Sequence, residues 1–365
     1  MGAGGVGPFR AVAFVNPFHT AASVPHSPLP ELLALEQLLE QGREWLSVRV
    51  VQEVQPTGGP RLPVYAITLG NPDPEIPAVG FFGGVHGLER IGSEVVMAYL
   101  RQVVQRLPWD VVLRQQLECV RLVFMPIVNP GGMWAGTRAN PSGVDLMRNA
   151  PLDAVQNAPF LLGGQRFSAG LPWYRGAAGT PMEAESAALC EVVQTELIGR
   201  PFSLALDCHS GFGVRDRLWF PFAHTREPIA HLPELHALQR IFRDAHVHHP
   251  YIIEPQSAQY LAHGDLWDHL YLQAGHEPLK AFLPLTLEMG SWLWIKKNPR
   301  QLFSRKGIFN PLIEHRLQRV LRRHVTLLDF LTRAASGHRL WLPSREGREA
   351  QRAAALADWY PGHPS

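Results

Sequence analysis

Two short stretches of the sequence carry residues of the kinds that bind metal ions in hydrolases. His86 and Glu89 stand three residues apart, directly after the hydrophobic run Ala78 to Val85. His209 follows a second hydrophobic run and lies in the sequence DCHSG. Hydrolytic zinc sites commonly use two histidines and one glutamate and keep a fourth position for water. Because ligands gather beyond strand ends in parallel-rich sheets, we predict that His86, Glu89 and His209 bind one Zn²⁺ per chain.

Structural interpretations of the same residues stay open at this point. A single histidine such as His86 can serve as a hydrogen-bonded structural residue. Glu89 also suits the first turn of a helix, where acidic side chains are favoured. A second histidine-rich stretch, at His246, His248 and His249, follows an amphipathic helical pattern and has no carboxylate at ligand spacing. We therefore expect a solvated helix end there and not a metal site.

The elements that must position these residues alternate between strand-like and helix-like patterns, which is typical of an α/β fold with a sheet between helices. We predict strands over Leu46–Val54, Leu62–Leu69, Ala78–Val85, Val120–Val128, Ser203–Asp207 and Ala281–Glu288. We predict helices over Pro30–Gln41, Ile91–Leu107, Met182–Leu197, Leu232–Ala245 and Pro311–Ala335. Residues 129–181 are rich in Gly, Pro and Asn, and we expect so long a connection to be functional.

Composition limits the classes of partner. The 365 residues include 18% charged residues and carry a formal net charge of +2, which creates no field to attract nucleic acid or a membrane surface. The three cysteines form no C-x-x-C pair, which favours a reducing compartment, and no export signal or membrane span is evident. We therefore predict a cytoplasmic protein that acts on a small or peptidic molecule.

Five motifs follow one another along the chain: His86-x-x-Glu89, the Asn129-Pro-Gly-Gly segment with Arg138 and the stretch Gly143 to Asn149, His209 in DCHSG, the stretch Tyr260 to Tyr271, and Glu288 in TLEMG. Together they resemble the zinc metallocarboxypeptidase family of the carboxypeptidase A type, over roughly residues 30–335. The resemblance implies a mixed, mostly parallel twisted sheet with helices on both faces. It also implies that the two histidines and Glu89 hold zinc.

Further roles are implied by the same resemblance. Glu288 matches the general base, and Arg138 matches the arginine that polarises the carbonyl group under attack. Arg148 matches the arginine that binds a terminal carboxylate, and Asn149 beside it is a further candidate for substrate binding. Tyr260 matches a mobile tyrosine that closes over the substrate, and Trp267 falls near the base of the specificity pocket.

Two positions depart from the family pattern. Met147 stands where the family usually has an asparagine, and methionine cannot donate a hydrogen bond to a carboxylate. Leu88 stands where the pancreatic enzymes carry a substrate-binding arginine. Met147 therefore argues against recognition of a terminal carboxylate, and both departures suggest an unusual substrate.

The leading hypothesis is a zinc metallocarboxypeptidase that hydrolyses a C-terminal peptide or peptide-like amide bond. One alternative is a zinc-dependent deacylase or amidase acting on N-acyl amino acids or cell-wall peptides, which Met147 favours. Another is an inactive zinc-binding module. We predict an N-terminal extension over 1–28, a catalytic domain over 29–337 and a C-terminal tail over 338–365; no prosegment is expected, and the oligomeric state cannot be predicted.

Overall fold

Eight strands form one sheet in the computed structural model, which describes residues 29–211, 213–275 and 280–362. The predicted extension over 1–28 lies outside the described residues. The strands are β1 (Ser47–Val54), β2 (Leu62–Gly70), β3 (Ala78–Gly83), β4 (Arg121–Met125), β5 (Phe202–Ser210), β6 (Arg217–Phe220), β7 (Ile252–Pro255) and β8 (Ala281–Met289). Their order across the sheet is β1-β2-β4-β3-β5-β8-β6-β7.

Helices fill the connections between the strands. They are α1 (Pro30–Gln41), α2 (Arg90–Arg106), α3 (Val111–Leu117), α4 (Pro130–Ala135), α5 (Ala184–Glu196), α6 (Leu232–Ala245), α7 (Leu266–Ala274), α8 (Trp292–Lys297), α9 (Arg305–Phe309), α10 (Glu314–Ser336), α11 (His338–Trp341) and α12 (Arg348–Trp359). Short 3₁₀ turns cover Leu146–Arg148, Gln256–Ala258 and Pro299–Phe303. Among the described residues, no helix is long and apolar enough to cross a membrane.

The centre of the sheet is parallel. β3 pairs in parallel with β4 and with β5, and β5 pairs in parallel with β8. Antiparallel pairs join β1 to β2, β2 to β4 and β6 to β8, while β6 and β7 are parallel. The predicted mixed, mostly parallel sheet is therefore confirmed. Strands β3, β5 and β8 lie side by side, so their carboxyl ends meet at one edge of the sheet.

Helices cover both faces of this sheet, as predicted. Successive residues of a strand point to opposite faces. In β3, Phe81 joins a core that includes residues of α2 and α10, while Phe82 joins a second core with residues of α5 and α7. Every residue of β3 and β5 is buried, which is why these segments read as continuous hydrophobic runs and not as alternating patterns.

The observed bounds differ from the predicted ones chiefly at strand ends. The predicted strand Ser203–Asp207 extends over Phe202–Ser210, because pairing with β8 continues through His209 and Ser210. The predicted tail contains α12, whose Trp359 packs on Phe220 and donates a hydrogen bond to the backbone oxygen of Ile253. The described part of the tail therefore packs against strands β6 and β7.

Candidate metal and catalytic site

Two glycines allow the His86–Glu89 turn to approach its neighbours closely. A Cβ atom on Gly87 would lie 2.0 Å from the backbone carbon of Gly132. A Cβ atom on Gly92, in the first turn of α2, would lie 2.0 Å from the backbone oxygen of Cys208. Since no larger side chain fits at either position, glycine brings the end of β3 against α4 and the start of α2 against β5.

As a result, the three predicted ligands converge in a buried cluster. The Nδ1 atom of His86 lies 2.9 Å from Oε1 of Glu89, and the Nδ1 atom of His209 lies 3.2 Å from Oε2 of Glu89. The two Nδ1 atoms are 3.1 Å apart. All three side chains are at most 3% exposed. The structure thus brings together His86, Glu89 and His209 as the sequence predicts.

Carboxylates behind the two imidazoles fix which nitrogen faces the cluster. His86 Nε2 lies 3.0 Å from Asp145 Oδ1, and His209 Nε2 lies 2.7 Å from Asp207 Oδ2. The indole Nε1 of Trp267 donates a hydrogen bond of 3.0 Å to that same Asp207 oxygen. Because each carboxylate accepts from Nε2, each Nδ1 presents its lone pair to the cluster, as in metal sites where a carboxylate orients the ligand histidine.

The electrostatics of the cluster favour a bound cation. Burial alone would raise the pKa of Glu89, yet the neighbouring His86 and His209 hold it below its ordinary value. Burial alone would lower the pKa of His209, yet Asp207 and Glu89 raise it well above its ordinary value. Lone pairs and carboxylate oxygens that face one another in a buried space repel unless a positive charge lies among them.

The donor set fits zinc. Two imidazole nitrogens and one carboxylate are the ligands of many hydrolytic zinc sites. Ligands about 2.0 to 2.2 Å from a tetrahedral ion lie roughly 3.3 to 3.6 Å from one another. The separations of 2.9 to 3.2 Å among the two nitrogens and the Glu89 oxygens are a few tenths of an ångström shorter, so a small outward movement of the side chains would make room for the ion. His86, Glu89 and His209 would therefore hold the ion.

Arg138 lies beside the cluster and is held by two ion pairs. Its Nε donates to Asp145 Oδ2 at 2.8 Å, and its Nη1 donates to Glu89 Oε1 at 3.1 Å. Burial alone would lower the pKa of Arg138, but these two carboxylates raise it. Neither ion pair uses Nη2. This nitrogen of the charged guanidinium can therefore donate to a further acceptor in the cleft.

Glu288 lies near the end of β8, the strand that pairs with β5 and its ligand His209. It stands in register with His209 in the β5–β8 pair and lines one cleft with His86, Arg138 and Thr286. Burial, together with the charge of Glu89, raises the pKa of Glu288 to about 7, although His209 opposes the shift. A carboxyl group that titrates near neutrality can accept and return a proton.

The same cleft is also lined by Met147, Arg148, Tyr260 and Asp265. Arg148 Nη2 donates to the Tyr260 hydroxyl at 3.2 Å, and the guanidinium carbon lies 5.7 Å from the centre of the Tyr260 ring. Arg148 and Tyr260 thus share one cleft with the two histidines of the metal cluster. Met147 adds only an apolar side chain to this wall.

Asn149 and Trp267 lie outside the residues that line the cleft. The Asn149 amide donates to the backbone oxygen of Arg175 at 3.0 Å and accepts from the backbone nitrogen of Glu183 at 2.6 Å. Trp267 is 2% exposed and packs edge-on against Phe82. Asn149 therefore stabilises the 129–183 connection, and Trp267 supports His209 through Asp207.

Sequence reasoning assigns no role to several residues that shape this site. Asp145 holds both His86 and Arg138, although its motif points only to the neighbouring arginine. Trp219 and Gln256 line the cleft from β6 and a 3₁₀ turn, and no local signal in the sequence points to them. Asp265 reads as an ordinary helix N-cap, since it precedes α7.

Comparison with known sequences gives two matches. A family model described as zinc carboxypeptidase matches residues 58–291, which is more than half of the chain. A curated relative, Carboxypeptidase SOL1 of Arabidopsis thaliana, is 32% identical over 92 residues. That match covers 24% of this chain and 19% of the relative, so it spans about a fifth of the relative's length.

Solved structures with the same fold share a lower sequence identity with this chain. The bovine thrombin-activatable fibrinolysis inhibitor, in complex with a tick carboxypeptidase inhibitor, has a TM-score of 0.60 and 17% identity; the match covers 82% of this chain and 94% of that one. The carboxypeptidase A of Helicoverpa armigera has a TM-score of 0.59 and 16% identity, with 83% and 71% covered. At such identities the likeness establishes the fold.

Proposed function

The chain belongs to the zinc carboxypeptidase family, and from that premise we propose that it hydrolyses the C-terminal amide bond of a peptide or peptide-like substrate. One observation carries the proposal: two members of the buried His86, Glu89 and His209 cluster, the histidines, line a single cleft with Glu288 and Arg138. That combination contains a metal-ligand set, a titrating carboxyl group and a fixed positive charge. An inactive zinc-binding module would not need the last two.

When bound, a zinc ion supplies Lewis acidity, which lowers the pKa of a water molecule at the site. Glu288 accepts the proton of the attacking water and later returns it to the nitrogen of the leaving amine. The pKa of about 7 for Glu288 suits a group that must do both at neutral pH. Arg138 stabilises the negative charge that develops on the carbonyl oxygen of the scissile bond.

Asp145 contributes by holding Arg138 and His86 in place at the same time. Pre-positioned charges act strongly in a site of low polarity because they need no reorganisation during the reaction. Arg148 and Tyr260, which line the same cleft, bind the part of the substrate that leaves.

A second candidate, a deacylase or amidase, is favoured by one observation. Met147 lines the cleft beside Arg148 and provides no hydrogen-bond donor for a terminal carboxylate. An enzyme of this kind would cleave N-acyl amino acids and would not require a free peptide terminus.

Purified zinc-loaded protein should be tested on three matched substrate sets: peptides with a free C terminus, the same peptides with a C-terminal carboxamide, and N-acyl amino acids. Release of the C-terminal residue from the peptides, detected by mass spectrometry, is the expected result. Cleavage of the N-acyl amino acids alone would establish the second candidate. No cleavage of any set, with zinc bound, would refute both.

A further inference from the structure

Arg148 and Asp265 bring buried polar atoms without a partner to the substrate side of the cleft. Asp265 is 1% exposed and Arg148 is 2% exposed. Among the described residues, Asp265 Oδ2 and Arg148 Nε have no hydrogen-bond partner. The nearest approach between the two side chains, from Arg148 Nη1 to Asp265 Oδ2, is 4.0 Å, which is too long for a hydrogen bond.

Other atoms of the two side chains already have partners. Asp265 Oδ1 caps helix α7 by accepting from the backbone nitrogens of Trp267 and Asp268, each at 3.0 Å. Arg148 Nη2 donates to the Tyr260 hydroxyl. Capping therefore explains one oxygen of Asp265 and leaves Oδ2 unexplained, in a position next to the arginine that binds substrate. Leaving a buried polar atom unpaired is unfavourable, and a ligand that pairs with it recovers this loss.

A terminal group bound by Arg148 would meet Asp265 next to it. With Asp265 ionised, the pair is already electrically neutral, and an incoming carboxylate would add an uncompensated negative charge. Two carboxylates that share a buried site cannot both be ionised without a large cost, so one of them takes up a proton. A carboxamide meets no such conflict, because its oxygen accepts from Arg148 while its nitrogen donates to Asp265.

Met147 leaves a terminal carboxylate with one hydrogen-bond donor fewer. Its side chain donates no hydrogen bond, so the donor for the second oxygen of a terminal carboxylate must come from elsewhere in the wall. A protonated Asp265 has such a donor at Oδ2.

We propose that Asp265 and Arg148 together recognise the terminal group of the substrate, so that a terminal carboxylate binds with uptake of one proton by Asp265, whereas a terminal carboxamide binds to ionised Asp265. The inference rests on the proposed function, because it names the substrate's terminal group at the same site. It makes Asp265 a residue that determines specificity, and it makes the preference for free peptide termini depend on pH.

The charged groups around Asp265 agree with this assignment. Burial and the charge of Asp268 raise the pKa of Asp265 to about 7, while Arg148 and the two backbone donors of α7 oppose the shift. From the other walls of the cleft, Arg138, Tyr260 and Glu288 face the same space. Behind α7, the His224 Nδ1 atom lies 2.7 Å from Asp268 Oδ2.

Binding is best measured in the zinc-loaded Glu288→Gln variant, which removes the other cleft carboxyl group that titrates near pH 7 and slows turnover. An N-acyl dipeptide and its carboxamide are titrated by calorimetry from pH 6 to 9, in two buffers of different ionisation enthalpy. We expect close to one proton taken up at pH 8 to 9 for the carboxylate and none for the carboxamide. The dissociation constant for the carboxylate should rise about tenfold for each pH unit above 7.

Asp265→Asn, added to this background, isolates the role of the carboxyl group because asparagine also caps helices well. It should abolish proton uptake and make carboxylate binding independent of pH. The matched control is Asp358→Asn, on α12, where the side chain is 51% exposed and pairs with His236; this variant should keep the original profile. With the wild-type enzyme, the same pH dependence should appear in KM and not in kcat.

Equal proton uptake for both peptides, uptake that persists in Asp265→Asn, or failure of both peptides to bind would overturn the inference. If protons are taken up as expected but the wild-type enzyme cleaves no substrate, the proposed hydrolysis is refuted and this recognition site stands. Turnover of carboxylate peptides without proton uptake would refute the recognition site alone.

Discussion

Replacing Asp207 with asparagine should weaken zinc binding by about 10- to 100-fold, without touching a ligand. Asp207 is fully buried, and its Oδ2 lies 2.7 Å from His209 Nε2. A hydrogen bond to a charged group is worth about 1.5 to 3 kcal/mol, which corresponds to about one to two orders of magnitude in affinity. Asparagine keeps the shape of the side chain but removes the charge that holds the His209 tautomer.

The affinity can be measured by competition with a chromophoric zinc chelator. Trp267→Phe is the matched control, because it removes the other hydrogen bond to Asp207 Oδ2 and leaves the carboxylate on His209. We expect Trp267→Phe to change zinc affinity less than Asp207→Asn does, and thermal unfolding of both variants establishes that they are folded. Wild-type affinity in Asp207→Asn, or a larger loss in Trp267→Phe, would show that the carboxylate does not orient this ligand.

Three further predictions concern catalysis, packing and pH. Glu288→Gln should retain about one zinc per chain by elemental analysis while hydrolysis falls about 10²- to 10⁴-fold, and near-normal activity would refute its role as base. Gly87→Ala should lower the free energy of unfolding by about 3 kcal/mol in denaturant titrations, because its Cβ would lie 2.0 Å from backbone. The control Gly337→Ala, whose Cβ has no neighbour closer than 3.6 Å, should change it by about 0.5 kcal/mol or less. Burial lowers the pKa of His324 to about 4, against about 6.5 in the unfolded chain, so its contribution to stability is fully present above pH 6.5 and is lost as pH falls to 4. His324→Gln should reduce the slope of stability against pH in that window by about 1.4 kcal/mol per unit, and an unchanged slope would contradict the assignment.

The central strands and the metal cluster were predictable because their signals are local. The buried strands β3 and β5, and β8, which is buried except at Glu288, are continuous hydrophobic runs, and the ligand side chains stand at or just after the ends of two of them. Strands β6 and β7, at one side of the sheet, have only four residues each, which is too short for a periodic pattern to stand out.

In the irregular segments, the position of a residue in the sequence does not predict where its side chain points. The resemblance to the family implies that Asn149, beside Arg148, and Trp267, near the base of the specificity pocket, contact the substrate. In the structure, the amide of Asn149 satisfies backbone groups of the connection, and the Trp267 indole lies behind His209. The second role of Asp265 depends on Arg148, more than a hundred residues away in the chain, so no local pattern reveals it.

The order β3-β5-β8 divides the site into two parts that can change independently. The metal ligands and Glu288 belong to the adjacent strands β5 and β8 and to the turn after β3, and the three ligands are buried. Arg148, Tyr260 and Asp265 come instead from connections outside the sheet. Exchange of the segments 143–149 and 256–265 with those of another member of the family should therefore transfer its substrate preference while the host's metal centre is retained, which makes this sheet a usable scaffold for engineered peptidases.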